Sequence, residues 1–190
     1  MEMNTKHEIK AEGEASRNFG QQGQKPSADK TRQLAIMGLL VALSAVGSFI
    51  KIPSPTGTVA LDSAPGYLAA YLLGGSEGAI VASFGHLLTA VTAGFPLGLP
   101  IHAIIALQMA AFAYIFAWII KKGNQSPGAI VAAVSAATLL NGIVAPLLLI
   151  PFFGMGFFVA MVLPLTIASL INILLATLLG KLLKNKIFPA

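Results

Sequence analysis

Pro127-Gly-Ala-Ile-Val-Ala-Ala-Val-Ser-Ala-Ala-Thr-Leu-Leu-Asn-Gly-Ile-Val-Ala-Pro-Leu-Leu-Leu-Ile150 carries no charged side chain. A helix needs about 20 mostly apolar residues to cross the hydrocarbon core of a bilayer, and this stretch supplies them. The absence of charge extends both ways. Nothing between residues 123 and 180 is ionised, and between residues 52 and 120 only Asp62 and Glu77 are. The chain is 56% hydrophobic and 10% charged, with mean hydropathy +0.80, whereas soluble domains are roughly 25% charged. The sequence predicts an all-α integral membrane protein.

Working outward, six apolar segments are expected: 33–50, 63–73, 77–92, 99–120, 127–150 and 156–183. Gly and Pro punctuate the joins, as in Gly74-Gly75, Gly94-Phe-Pro96 and the stretch from Pro151 to Gly156. The second segment is too short to span alone. It is expected to be a broken or tilted helix packed inside protein, where its backbone is shielded from lipid. Residues 1–32 mix Glu, Lys, Gln, Gly and Ser with no apolar core. They are read as a disordered cytoplasmic tail, not a signal peptide, and 33–186 as a six-helix membrane domain.

The basic residues set the orientation. Lys6, Lys10, Arg17, Lys25, Lys30 and Arg32 precede the first segment; Lys121 and Lys122 follow the fourth; Lys181, Lys184 and Lys186 end the sixth. Six crossings put both termini and the fourth-to-fifth loop on one side. That side then holds all the basic residues but Lys51 and is cytoplasmic by the positive-inside rule. Trp118 beside Lys121 fits an interfacial anchor. The net charge of +5 therefore reflects topology and anionic lipid, not nucleic acid.

Several chemistries are missing. There is no Cys, hence no disulfide and no thiolate metal site. There is no Walker A sequence, no His-Glu-x-x-His, no Gly-x-Ser-x-Gly and no paired intramembrane carboxylate. No cofactor, metal site or catalytic residue is implied. A binding protein that draws energy from others is the leading expectation, followed by a stand-alone secondary transporter, although the two halves show no inverted repeat. A membrane enzyme ranks last.

Intramembrane polar residues are the candidate ligand contacts. At about 1.5 Å per residue, His86, Gln108 and Asn141 reach a similar depth in the outer half and are expected to converge in one layer. His102 and Asp62 lie nearer the outer mouth, and Asn172 deeper, toward the cytoplasm. They either line a pocket open to the outside or hydrogen-bond between helices. In the first outer loop, Lys51-Ile-Pro-Ser-Pro-Thr-Gly-Thr-Val-Ala-Leu-Asp-Ser-Ala-Pro65, two prolines stiffen the chain. Thr58-Val-Ala-Leu61 is expected to lie extended over the mouth as a lid. Lys51 either meets ligand or Asp62, or snorkels at the interface; Asp62 either faces ligand or caps the second helix. On the first helix, Gly38 and Ala42, four apart, make a small-residue face, suited to bundle packing or to docking a separate membrane protein.

Arg32-Gln-Leu-Ala-Ile-Met-Gly-Leu-Leu-Val-Ala-Leu-Ser44, Lys51-Ile-Pro-Ser-Pro-Thr-Gly57, Ala60-Leu-Asp-Ser-Ala-Pro-Gly66 and Gly85-His-Leu-Leu-Thr-Ala-Val-Thr-Ala-Gly-Phe-Pro96 resemble the substrate-binding S-components of energy-coupling factor (ECF) vitamin transporters. The resemblance covers residues 31–186. It implies a six-helix vitamin-capture protein of the bacterial plasma membrane, partnered by a transmembrane coupling protein and two cytoplasmic ATPases. Substrate would bind from outside beneath the first loop, and the protein would topple to deliver it. The family's coupling motif is Ala-x-x-x-Ala on the first helix; here Gly38-x-x-x-Ala42 is a relaxed version. The 85–96 stretch is most similar to members assigned to α-ribazole, a cobalamin precursor, or to pantothenate. An uncharged pocket with Phe95, Phe112 and Tyr67 available to stack favours the aromatic nucleoside. Lys51, Thr58, Asp62, His86, His102, Gln108 and Asn141 are the expected substrate contacts.

Overall fold

The computed structural model describes residues 28–55 and 59–187. The chain divides into two compact units, Met1–Leu34 and Ala35–Ala190. In the first, the described residues 28–34 are helical. The expected polar tail lies outside the described residues as far as residue 27. The helix already begins at Ala28, so the expected boundary after residue 32 falls inside it.

Six helices follow one another among the described residues: α1 Ala28–Gly47, α2 Ala64–Leu72, α3 Gly75–Thr92, α4 Leu99–Lys122, α5 Pro127–Leu147 and α6 Ile150–Ile187. Of these, α4, α5 and α6 are each long and apolar enough to cross a membrane. A lone antiparallel bridge between Lys51 and Ala60 is the one piece of β structure described.

The helix ends follow local chemistry. Pro65, Pro100 and Pro127 sit in the first turns of α2, α4 and α5, where the missing N–H leaves no bond unmade. Ser126 caps α5, its Oγ accepting from the Ala129 N–H. Gly74, at φ +126, turns the chain between α2 and α3 in a conformation open to glycine. Helix α1 stops at Gly47, three residues short of the expected end. Its last turn tightens into i→i−3 bonds, Phe49 N–H to Val46 O and Ile50 N–H to Gly47 O.

Two helices are broken in ways the apolar pattern did not show. Within α5, residues Leu140–Val144 form a π-turn, with the Ala145 N–H reaching back to the Leu140 carbonyl. Pro146 explains it: with no N–H and a bulky ring it cannot bond the carbonyl four residues earlier, so the turn widens. Helix α6 begins at Ile150, six residues before its expected start, and is interrupted at Gly154 (φ +76).

The helices meet closely through small residues. A Cβ on Gly66 would stand 2.7 Å from Ala82, and one on Gly78 2.4 Å from Ala70, so α2 and α3 touch backbone to backbone. One end of the bundle, at the α2–α3 and α4–α5 turns, is filled solid. There the Tyr67 and Phe116 rings pack edge to face at 5.3 Å among Val81, Ala113, Ala133, Ile173 and Ala176, all fully buried. Every residue of α2 from Ala64 to Ala70 is buried. The expectation that this short helix hides inside the protein is met over Ala64–Ala70.

Candidate functional site

The opposite end of the bundle holds a cavity, and the segment between α1 and α2 covers it. Its two described arms, residues 50–52 and 59–61, pair antiparallel. The Ile52 N–H bonds the Val59 carbonyl at 2.8 Å and the Leu61 N–H bonds Ile50 at 3.1 Å. Val59 is buried against Met161 and Ala168, flanked by Ile52, Phe157 and Leu165. The expected lid is thus present, built from 59–61; Thr58, Thr56 and Gly57 lie outside the described residues.

One side chain fixes the lid to the bundle. Asn172, on α6 and 1% exposed, donates from Nδ2 to the Ala60 carbonyl at 3.1 Å, and its Oδ1 accepts the Ala64 N–H at 2.8 Å. A third bond, Nδ2 to the Ala168 carbonyl, holds the amide against its own helix. The start of α2 is therefore capped by a residue 108 positions downstream. Ser63 occupies the N-cap position and its side chain makes no cap bond, so the cap expected of Asp62 is not formed.

Beneath the lid the cavity has a volume of about 110 Å³, several times the roughly 10–15 Å³ that one water requires. Val59, Ala60, Asp62 and Ser63 close it above; His86, Thr89, Ala90 and Ala93 come from α3 and its end; His102, Ile105, Gln108 and Met109 from α4. Asn141, Ala145 and Pro146 of α5, and Phe157, Met161, Leu165, Ala168, Ser169 and Asn172 of α6, complete the wall, with Leu97 and Leu149 from the connecting turns. The π-turn gives Asn141 its place: an extra residue in the turn shifts the register of everything after it, as π-bulges do at functional sites. Gly142 in the same turn lies so close to Thr166 that a Cβ would approach it to 2.5 Å.

Five of the seven expected contacts, Asp62, His86, His102, Gln108 and Asn141, line this one cavity. Lys51 does not. It is exposed, bridges Ala60 through backbone alone, and makes no ion pair with Asp62 among the described residues. The aromatic reading needs correcting. Tyr67 is buried in the solid end, Phe112 is buried outside the lining, and Phe95 packs edge-on against His102 at 5.7 Å without lining the cavity itself. The aromatic wall is Phe157, stacked on Phe153 with centroids 4.8 Å apart. Asn172 was expected deeper than the site and instead anchors its roof. Ser169 was not expected at all; its spacing of three from Asn172 on one helix face was the available signal.

Three residues of the wall carry buried polar atoms without partners. His102 Nε2, Gln108 Oε1 and Ser169 Oγ are buried with no hydrogen-bond partner. Such atoms cost roughly 1–3 kcal/mol each when left unmatched, so a ligand that satisfies them gains by entering. Among the described residues no Lys or Arg lines the cavity, and Asp62 is its one acidic group. Burial is the largest influence on that carboxyl and pushes it up to about 6; its own backbone N–H, the Thr89 hydroxyl and, least, the Lys51 charge pull it down. The wall is thus mostly apolar with a few convergent polar groups, the usual make-up of a small-molecule site.

Gly38 and Ala42 are both exposed on α1, and nothing stands within 4 Å of a Cβ added at Gly38. Bundle packing does not account for this pair. The neighbouring Leu39, Leu43 and Val46 are exposed as well, while Leu40 and Ser44 face inward.

Comparisons with known proteins give a consistent picture. A family model described as ECF transporter, substrate-specific component, matches residues 32–183. A solved structure reported under "Structure and mechanism of the S component of a bacterial ECF transporter" is 24% identical, with TM-score 0.59, covering 83% of this chain and 96% of that one; at this identity it speaks for the fold. No curated protein sequence matches the chain.

Proposed function

The chain belongs to the ECF transporter substrate-specific components, a family of membrane-embedded substrate-binding subunits and not of enzymes, and from that premise we propose that it captures a vitamin or vitamin precursor for an ATP-driven uptake complex. The ligand we propose is α-ribazole. One observation carries this choice: the cavity is closed over by an anchored lid and walled by apolar and uncharged polar groups besides Asp62, with no Lys or Arg among the described residues. Pantothenate brings a carboxylate, which would lie unpaired beside Asp62, and a buried unpaired charge is costly. An aromatic nucleoside brings an apolar ring for Phe157, Met161 and Leu165, and hydroxyls for the side-chain amides.

In this reading the chain crosses the plasma membrane six times, the short α2 completing its crossing together with the lid segment, with both termini cytoplasmic. The bias of eleven of the twelve basic residues to one side supports it. The lid then faces outward, substrate enters beneath it, and Asp62, His102, Gln108 and Asn141 contact the ligand, while His86 lines the same cavity beside His102. Lys51 stands at the entrance. The exposed Gly38 and Ala42 face lets a transmembrane coupling protein approach α1 closely, and two cytoplasmic ATPases act through that partner.

The test is titration calorimetry of the purified chain with α-ribazole and with pantothenate, followed by uptake in vesicles with and without an ECF module and ATP. Tight binding of α-ribazole alone and uptake only with module and ATP are expected. Tight pantothenate binding would remove the ligand assignment. Uptake by this chain alone, driven by an ion gradient, would replace the subunit reading with a secondary transporter.

A further inference from the structure

His86 on α3 and His102 on α4 face one another inside the cavity wall. His86 Nε2 lies 3.2 Å from His102 Nδ1, with ring centroids 5.3 Å apart and planes tilted by 33°. His102 is 4% exposed, and the Phe95 ring holds its other side. A hydrogen bond between two imidazole nitrogens needs one N–H and one bare nitrogen. With both rings uncharged, only two arrangements exist. In the first, His86 Nε2–H donates to bare His102 Nδ1, which leaves the proton of His102 on Nε2. In the second, His102 Nδ1–H donates to His86 and His102 Nε2 is bare. The first puts both rings in the Nε2–H form, the tautomer that a free imidazole side chain prefers; the second requires the rarer Nδ1–H form of both.

Resting on the reading of this cavity as the substrate site, we propose that His86 is a positioning residue that acts through His102: its N–H fixes the His102 tautomer so that Nε2–H is presented to the substrate as a donor. Gln108 Oε1, likewise buried and unpartnered, is the matching acceptor on the same helix. The substrate class follows. The molecule must offer an acceptor to His102 and a donor to Gln108, as a ring nitrogen or carbonyl together with a hydroxyl or N–H does. A molecule with acceptors only leaves Gln108 unmatched, and one with donors only confronts the His102 N–H. The specificity is a matter of unpaired buried groups, which discriminate far more sharply than a missing methylene does.

Substitutions at His86 separate this role from simple gluing of α3 to α4. In His86→Gln the side-chain amide still donates toward His102 Nδ1; in His86→Leu nothing does. The full chain labelled with ¹⁵N-histidine, in detergent and without ligand, reports each nitrogen's protonation. His7, the remaining histidine, is assigned by its own substitution. Nε2-protonated His102 with a bare Nδ1 is expected in the wild type and in His86→Gln, and a mixture of tautomers in His86→Leu. Calorimetry with α-ribazole is expected to lose about 10-fold in affinity in His86→Leu, as for one buried hydrogen bond, and His86→Gln to recover most of that loss. A His102 tautomer unchanged in His86→Leu, or an equal loss in both variants, overturns the proposal. If the wild type does not bind α-ribazole, the ligand assignment fails, while the spectra still decide the tautomer role.

Discussion

The two ends of the helix bundle are made from the same helices and built to opposite rules. Along α4, His102, Ile105 and Gln108 border empty space, while Ala113, Phe116 and Ile120, further along, fill a solid core. Along α6, Ser169 and Asn172 face the cavity, and Ile173 and Ala176, the very next turn, do not. At the solid end small residues bring backbones together and two rings plug the middle. At the open end polar atoms are left without partners. Stability is therefore concentrated at one end; the Tyr67 hydroxyl is left unmatched within that core, and the unmatched atoms of the cavity wall at the other end are the ones a ligand would satisfy.

The sharpest way to break this division is to open the solid end. Phe116→Ala removes a fully buried ring that packs on Tyr67, and loss of about 3–5 kcal/mol is expected. Thermal unfolding in detergent measures it; a melting temperature close to wild type would mean that the core is not where stability resides.

Asn172→Leu tests the seam between the ends. It frees the Ala60 carbonyl and the Ala64 N–H at a cost of roughly 1–3 kcal/mol for each group left unpaired. Ligand affinity is expected to fall by about 100-fold, since lid and helix start lose the same anchor, while helical content by circular dichroism stays near wild type. Affinity within 3-fold would show that the lid holds itself.

A smaller effect is expected at Asp62. Its carboxyl titrates at about 6 in the folded chain against 3.8 ordinarily, so the folded state binds the proton more tightly than the unfolded one. The associated stability is present below about pH 4 and is lost as pH rises through about 6. Melting temperature relative to Asp62→Asn should thus drop by a few degrees between acid and neutral pH. A difference that stays flat or grows with pH would reverse the sign.

Least disturbing to the bundle itself is Gly38→Leu, because a side chain there meets nothing within 4 Å. Folding and ligand binding should be unchanged, and recovery of the complex with the coupling protein should fail. Normal recovery would remove the docking role of this face.

Much of this was legible in the order of residues, and the misses have physical causes. Charge and Gly/Pro punctuation located six helices, because lipid tolerates few alternatives. Helix ends slipped where Pro146 forced a π-turn and Gly154 a break, both tertiary compromises that apolar periodicity does not record. Depth counting brought His86, Gln108 and Asn141 together, since His86 and Gln108 lie on regular helix and Asn141 only one residue into the π-turn, before its extra residue accumulates a shift. It failed for Asn172 because it assumed that the loop stays outside the bundle. Helix α2 has nine residues, about 13 Å of rise, and the lid descends to meet it. Asn172, near the middle of α6, is therefore at the roof and not below the floor. The stacking residues were misassigned for a related reason. An aromatic ring suits a plug as well as a pocket, and only packing tells Phe116 and Tyr67 from Phe157.

The double grip of Asn172 also bears on time. Because one amide holds both the roof at Ala60 and the start of α2 at Ala64, a displacement of this side chain releases both bonds together. Exit past the lid then depends on this side chain, and the rate of exit sets how long a captured molecule stays. Lifetimes of the bound state should follow the strength of this single side chain's contacts, even though no part of the ligand need ever touch them.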